Sequence, residues 1–239
     1  MKMLLCIILI IALFSLTVSS ALAEKAPEHK LLYQGHGSFR ITTGEGKVIY
    51  VDPFAGKGYD LPADLILITH SHYDHFSMAD IAALRKDSTR FVVPSSMKGD
   101  MEKNGFDMTE YLCMEAGDRI SAAGIYISAV PAYNKLKPFH PRRNGWLGYV
   151  IDVDGMRIYT AGDTDALKEN TSIICDIALI PIGGTYTMNP KEAAVFINEL
   201  KPDTVIPTHY GSIVGRPSDA DEFTSRVDSG IKVVKKLKF

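Results

Sequence analysis

Short apolar runs of strand length recur along the chain from residue 31 onward. They are rich in β-branched and aromatic residues and are bounded by turn-forming residues, a pattern typical of β-strands. The predicted strands are residues 31–42, 47–51, 65–69, 90–93, 125–130, 146–153, 156–161, 176–180, 204–206 and 231–234. Asp154-Gly155 separates two of these runs and predicts a tight hairpin.

Two segments carry the start signals of helices. Ser77 precedes the first, which resembles a capping box and predicts a helix through Leu84. Asn189-Pro190 begins the second, with an N-cap, a proline at the first helical position and an acid two positions later. This helix is expected to end near Leu200 and to bury Ala193, Ala194, Phe196 and Ile197. The chain shows no internal repeat, low-complexity segment or splitting linker, which indicates one domain.

The amino terminus has the pattern of a secretory signal. Lys2 is followed by an apolar run over residues 3–16 and by the small-residue site Ala21-Leu22-Ala23. We therefore expect cleavage after Ala23, with residues 24–239 forming the domain in a secreted, periplasmic or cell-envelope location. The alternative is an uncleaved membrane anchor, because the apolar run is nearly long enough to span a bilayer.

Charge and cysteine content narrow the function classes. Loss of Lys2 with residues 1–23 lowers the basic count from 26 to 25 against 28 acidic residues, a net charge of −3, which gives no support to a nucleic-acid binder. Cys113 and Cys175 are too far apart for a zinc motif. They can pair in an oxidising compartment, but the apolar run after Cys175 predicts a buried thiol. Oligomeric state stays open.

Residues 69–76 read Thr-His-Ser-His-Tyr-Asp-His-Phe and contain the densest cluster of potential metal ligands in the sequence. Four metal-ligand side chains, those of His70, His72, Asp74 and His75, fall within six positions directly after an apolar strand. Imidazole and carboxylate together suit zinc, and manganese or iron are the alternatives. The segment therefore predicts a metal site at the carboxyl end of that strand.

This motif resembles the HxHxDH signature of the metallo-β-lactamase superfamily. Four other segments match elements of that superfamily, and they are residues 35–39, 161–165, 181–188 and 206–211. The resemblance therefore covers about residues 31–215. The branch it resembles comprises metal-dependent hydrolases and includes the ascorbate-6-phosphate lactonases. The resemblance implies an α+β fold, a four-layer αββα sandwich with one or two metals at one edge.

The resemblance also implies a ligand set. It assigns His70 and His72 to a first metal, places Asp163 between the metals, and gives the second metal Asp74, His75 and His209. The superfamily normally offers a third histidine for the first metal at the end of a middle strand. This chain has Asn134 there, and His140 follows six residues later. Either residue is a candidate for the remaining ligand.

The implied activity is that of a metal-dependent hydrolase, with two zinc ions and with manganese or iron as alternatives. A metal-bound hydroxide would attack a small ester, lactone or phosphodiester. Asp74 is the catalytic candidate, orienting the water or passing a proton, unless it only fixes a histidine tautomer. The alternatives are a non-catalytic or weakly metallated binding protein and a di-iron redox protein, although the superfamily's diiron flavoproteins carry glutamate where this chain has His72.

The substrate is the least specified part of this interpretation. Lys135, Lys137, Arg142 and Arg143 bracket His140 and suit an anionic small molecule, or else form a solvated basic loop. His36 and Tyr210 are candidates for contacts at the site, or for packing. Little β-lactamase activity is expected, because the secreted lactamases use cysteine at the second metal and this motif offers histidine.

Overall fold

The computed structural model describes residues 30–54, 56 and 59–235. The predicted signal segment, residues 1–23, lies outside this range, so cleavage and secretion stay predictions. Within the described ranges, no helix is long and apolar enough to cross a membrane.

The first sheet contains six strands in chain order. These are β1 Lys30–Gly35, β2 Ser38–Thr42, β3 Val48–Val51, β4 Leu65–Leu67, β5 Arg90–Pro94 and β6 Tyr111–Met114. The first three strands are antiparallel, and β3 to β6 run parallel. The carboxyl ends of β3 and β4 therefore lie at the same edge of the sheet.

The second sheet contains seven strands, again in chain order from one edge to the other. These are β7 Arg119–Ala122, β8 Ile125–Pro131, β9 Leu147–Val153, β10 Met156–Thr160, β11 Ile177–Pro181, β12 Thr204–Thr208 and β13 Lys232–Val233. Strands β7 to β10 are antiparallel, and β10 to β13 run parallel. The carboxyl ends of β10 and β12 consequently share one edge.

Alternating side chains hold the two sheets together and attach the helices outside them. Ile49 and Val51 of β3 face the core between the sheets, whereas Val48 and Tyr50 face outward. The outer face of the first sheet packs on α1 (Met78–Leu84) and α2 (Lys98–Lys103), and that of the second on α3 (Pro190–Leu200) and α4 (Asp219–Thr224). Burial of both faces explains the continuous apolar runs of the central strands. The four layers confirm the predicted αββα sandwich.

Most predicted elements appear, with two kinds of difference. The helix starts are confirmed, since Ser77 caps α1 and Asn189 forms a capping box with Glu192 at α3. The single strand predicted over residues 31–42 is wrong, because the chain turns at residues 36–37 into a hairpin. Strands β6 and β7 and helices α2 and α4 were not predicted. Both strands are exposed sheet edges and both helices are short, so their apolar patterns are weak.

Candidate metal centre

Residues from separate parts of the chain meet at one edge of the sandwich. The 70–75 motif follows β4, Asp163 follows β10, and His209 directly follows β12. His140 comes from the connection between β8 and β9. Their potential ligand atoms form overlapping groups within 4.8 Å: a first group of His70, His72 and His140, a second of His36, Asp74, His75 and His209, and a third of His70, His75 and Asp163.

The first group has the spacing of a metal site. Nε2 of His70 lies 3.2 Å from Nδ1 of His72. Two nitrogens bound tetrahedrally to zinc at about 2.0–2.1 Å would lie about 3.3 Å apart. Nε2 of His140 is buried and has no hydrogen-bond partner among the described residues. Trp146 packs against the three imidazoles with ring centroids 4.8–5.5 Å away and shields this group on one side.

Asn134 contacts His140 and leaves no group free for a metal. Its side-chain oxygen accepts the main-chain N–H and the Nδ1–H of His140, at 3.1 and 3.0 Å. Its amide nitrogen donates to Asp165 at 3.1 Å and to the carbonyl of Tyr186 at 2.9 Å. An amide offers two acceptor positions and two hydrogens, so this buried side chain is saturated. The geometry therefore favours His140 as the third ligand.

The second group surrounds Asp74. Nε2 of His75 and both ring nitrogens of His209 are buried without a hydrogen-bond partner in the described part of the chain. Asp74 accepts a hydrogen bond from Nε2 of His36 at 2.8 Å, and its Oδ2 lies 3.8 Å from Nε2 of His209. Buried imidazole nitrogens normally have hydrogen-bond partners, and Nε2 of His75 and Nε2 of His209 both face the Asp163 carboxylate, at 3.5 and 3.1 Å, so these two nitrogens fit the binding of a cation beside it.

His36 belongs to this second group, although no ligand role was predicted for it. Its carbonyl accepts hydrogen bonds from the hydroxyl of Tyr33 at 2.7 Å and from the N–H of His209 at 2.8 Å. These contacts hold its backbone at a φ of 51°. The adjacent Gly37 leaves room for the motif, since a Cβ there would lie 2.8 Å from Cε1 of His75. The Gly-His-Gly element is thus a close-packed wall of the site.

Asp163 lies between the two groups. Its Oδ2 is 3.3 Å from Nε2 of His140 and 3.1 Å from Nε2 of His209, and its Oδ1 is 3.5 Å from Nε2 of His75. One carboxylate therefore faces ligands of both groups, which is the position expected of a residue shared by two cations.

Asp52 was also missed by the sequence analysis, although it directly follows a buried strand. It accepts Nδ1–H of His75 at 2.7 Å, and the N–H and hydroxyl of Thr69 at 2.7 and 2.6 Å. The Thr69 hydroxyl in turn lies 2.9 Å from Nδ1 of His70. Because Nδ1 of both histidines is engaged, Nε2 is the nitrogen that each presents to the site.

Charge at the centre is set by burial and by close carboxylates. Burial lowers the pKa of His70 well below its usual value, so this ring is neutral. Burial also opposes the charge on His75, but Asp163 and Asp52 outweigh it and raise the pKa of His75 to about 9. Burial likewise opposes the charge on Asp163, and His209 and His75 hold its pKa well below its usual range. The carboxylate between the groups is therefore ionised at neutral pH.

Two of the four basic residues near His140 are engaged with the protein itself. Lys137 donates to Asp165 at 2.8 Å and to the carbonyl of Thr187. Arg142 lies over the ring of Tyr133, 5.2 Å from its centroid. The side chains of Lys137 and Arg142 therefore make contacts within the fold. Cys113 and Cys175 are both free, and Cys175 is buried as predicted.

The fold and the His/Asp cluster define a class, αββα proteins with a metal site at the sandwich edge. A profile of the beta-lactamase superfamily domain matches residues 30–209. A UPF0173 metal-dependent hydrolase of Thermococcus onnurineus strain NA1 is 34% identical over 217 residues, which cover 86% of this chain and 95% of that protein. The chain therefore belongs to the beta-lactamase superfamily, in its branch of UPF0173 metal-dependent hydrolases.

Solved structures agree with this assignment. The metallo hydrolase Igni18 of Ignicoccus hospitalis superposes with a TM-score of 0.72 at 27% identity, covering 87% of this chain and 94% of that one. CmlA, a diiron β-hydroxylase of Streptomyces venezuelae, superposes with a TM-score of 0.70 at 18% identity, over 87% of this chain and 53% of that one. The second likeness shows the shared fold alone.

Proposed function

We propose that the protein is a dinuclear metal-dependent hydrolase of small esters, lactones or phosphodiesters. One observation carries this proposal: the Asp163 carboxylate lies between two histidine groups, 3.3 Å from His140 and 3.1 Å from His209. Such an anion offsets the mutual repulsion of two adjacent cations. Zinc suits the nitrogen-rich ligands best, with manganese or iron as alternatives.

Three histidines would hold the first ion, and they are His70, His72 and His140. Asp74, His75 and His209 would hold the second, with Asp163 shared. The bound ions would supply Lewis-acid activation of water and of the scissile group. Asp52 fixes the direction of His75 and, through Thr69, that of His70.

Asp74 suits the role of orienting the attacking water better than the role of carrying a proton. Burial alone would raise its pKa, but the hydrogen bond from His36 and the charges of His75 and His36 together outweigh burial and lower the pKa to about 2. An acid this strong stays ionised at neutral pH and holds a proton poorly. In the proposed reaction Asp74 accepts a hydrogen bond from the attacking water, and His36 keeps the carboxylate in place.

Metal analysis of the purified protein tests the proposal. Two equivalents of zinc or manganese, together with hydrolysis of one ester, lactone or phosphodiester that a chelator abolishes, would support it. Iron with a visible spectrum would favour the di-iron redox alternative, which rests on fold likeness alone. A protein that binds no ion on titration would contradict a metal-dependent activity and leave a binding role. Export by a cleaved amino-terminal signal is a separate proposal, supported by the pattern of residues 1–23.

A further inference from the structure

The loop that carries His140 is closed at its base by Asn134. The main-chain N–H of Asn134 donates to the carbonyl of His140 at 2.7 Å, and Asn134 pairs with Pro141 as an isolated bridge. The Asn134 side chain accepts two hydrogen bonds from His140 in return. Residues 134–140 thus form a loop whose two ends are joined by hydrogen bonds. Its last residue, His140, is the candidate ligand.

Asp165 binds this loop to the segment after β10 that also carries Asp163. Its carboxylate accepts from Nδ2 of Asn134 at 3.1 Å and from the main-chain N–H of Lys135 at 2.8 Å. It also accepts from Nζ of Lys137 at 2.8 Å. Asp165 is 9% exposed, and a charge so little solvated needs such donors. Asp163 therefore faces both groups of candidate ligands directly. Asp165, two positions later, acts on the first group through the loop that carries His140.

Apolar packing explains only part of the position of this loop, through the edge-on contact of Phe139 with Tyr186 at 4.6 Å between ring centroids. Leu136 is 97% exposed and Phe139 is 40% exposed, so neither side chain is buried in the core. The loop's remaining contacts include hydrogen bonds from Asn134 and Lys137 to the carbonyls of residues 186 and 187. The polar contacts of Asn134 and Lys137 therefore hold the loop against the site together with the ring contact of Phe139.

We infer that Asp165 is a positioning residue: through Asn134 and Lys137 it holds the 134–140 loop so that Nε2 of His140 reaches the first metal. This inference rests on the proposed metal site. It also assigns Lys137 to the loop instead of to an anionic substrate. The loss of a residue that orients a metal ligand typically weakens metal binding by about 10 to 100-fold.

Stepwise titration of the metal-free protein with Zn²⁺ tests this inference. Asp165→Ala and Lys137→Met are compared with Lys135→Met, whose side chain is exposed and whose main-chain N–H remains in place. We expect Asp165→Ala to weaken one of two Zn²⁺ affinities by about 10 to 100-fold and Lys137→Met to weaken the same one by less. Lys135→Met should leave both affinities unchanged.

A second readout separates positioning from folding. In the metal-free protein, the ring ¹⁵N shifts of His140 should show a proton on Nδ1, where Asn134 accepts it, and the Asp165→Ala protein should show mixed tautomers. If Asp165→Ala does not fold, as judged by its unfolding transition, the Zn²⁺ affinities and the His140 ¹⁵N shifts of Lys137→Met decide. Wild-type Zn²⁺ affinities in folded Asp165→Ala and Lys137→Met proteins would overturn this inference. No Zn²⁺ binding by the wild-type protein would instead overturn the proposed function.

Discussion

Nδ1 of His75 lies 2.7 Å from Oδ2 of Asp52, and both side chains are only 1% exposed. The same carboxylate accepts two hydrogen bonds from Thr69, so it serves two histidines of the motif at once. A single buried aspartate at the end of β3 therefore sets the direction of two candidate metal ligands that follow β4. The parallel pairing of β3 and β4 brings the two strand ends together.

Asp52→Ala should destabilise the metal-free protein and weaken metal binding. It removes one partner of a buried ion pair, which typically costs about 3–5 kcal/mol in the free energy of unfolding. It also frees the rings of His75 and His70 to turn, so metal affinity should fall by about 10 to 100-fold. Denaturant unfolding and Zn²⁺ titration measure the two effects.

The exposed residue Asp87 supplies the control for this change. Asp87→Ala should alter the free energy of unfolding by no more than about 0.5 kcal/mol and leave metal binding intact. An Asp52→Ala protein that is as stable as this control and binds metal normally would show that the Asp52 contacts do not orient the motif.

Asp163→Asn should remove at least one bound metal together with activity. The amide is neutral, so it no longer offsets the repulsion between two cations that share this position. Elemental analysis after exhaustive dialysis gives the stoichiometry. His209→Ala is the matched variant, because it should lose the second ion and spare the first. Two full equivalents of metal in Asp163→Asn would show that Asp163 is not shared.

The central strands and much of the site were predictable from local sequence. Leu65 and Leu67 face the inner core and Ile66 the outer one, so the run is apolar throughout and is followed by a dense histidine motif. Such a pattern predicts both a buried strand and a metal site at its carboxyl end. The superfamily resemblance added Asp163 and His209, which lie far from the motif in sequence.

The residues that orient the ligands were not predictable from local pattern. Asn134 takes its role from Asp165 and Tyr186, which lie 31 and 52 positions away in the sequence. His36 joins the site only because a turn at positive φ directs it toward Asp74. Long-range contacts of single polar residues leave no periodic signal in a sequence, unlike the burial of a strand or helix face.

β-Lactam hydrolysis should be negligible despite the name of the superfamily. The second group offers His75, His209 and Asp74, with no cysteine among its members. We expect the zinc-loaded protein to turn over nitrocefin far more slowly than a dedicated metallo-β-lactamase assayed beside it. Turnover comparable with that enzyme, and abolished by a chelator, would contradict this expectation.

Metal binding should release protons at neutral pH. The pKa of His75 is raised to about 9, because Asp163 and Asp52 outweigh the effect of burial, so the ring is protonated at pH 7 in the metal-free protein. A metal at Nε2 must displace that proton. Affinity for the second ion should therefore rise by about tenfold per pH unit up to about pH 9 and fall as the pH is lowered. His70 contributes no proton at pH 7, because burial already keeps it neutral.

Calorimetric titration in buffers of different ionisation enthalpy counts the protons released. We expect about one per ion at the second group at pH 7. Binding at pH 7 without proton release would mean that His75 is neutral before the metal arrives, and that its two carboxylate neighbours do not outweigh burial.

His140→Ala should weaken binding of the first metal by at least about 10 to 100-fold, since it removes the third nitrogen of the first group. Asn134→His tests the same site from the other side. A ring at position 134 cannot reproduce the saturated amide, which accepts twice from His140 and donates to Asp165 and Tyr186. Restoring the superfamily's usual histidine should therefore leave metal binding unchanged or weaken it. Zn²⁺ titration of both variants decides: tighter binding by Asn134→His, with unchanged affinity in His140→Ala, would place the ligand at position 134.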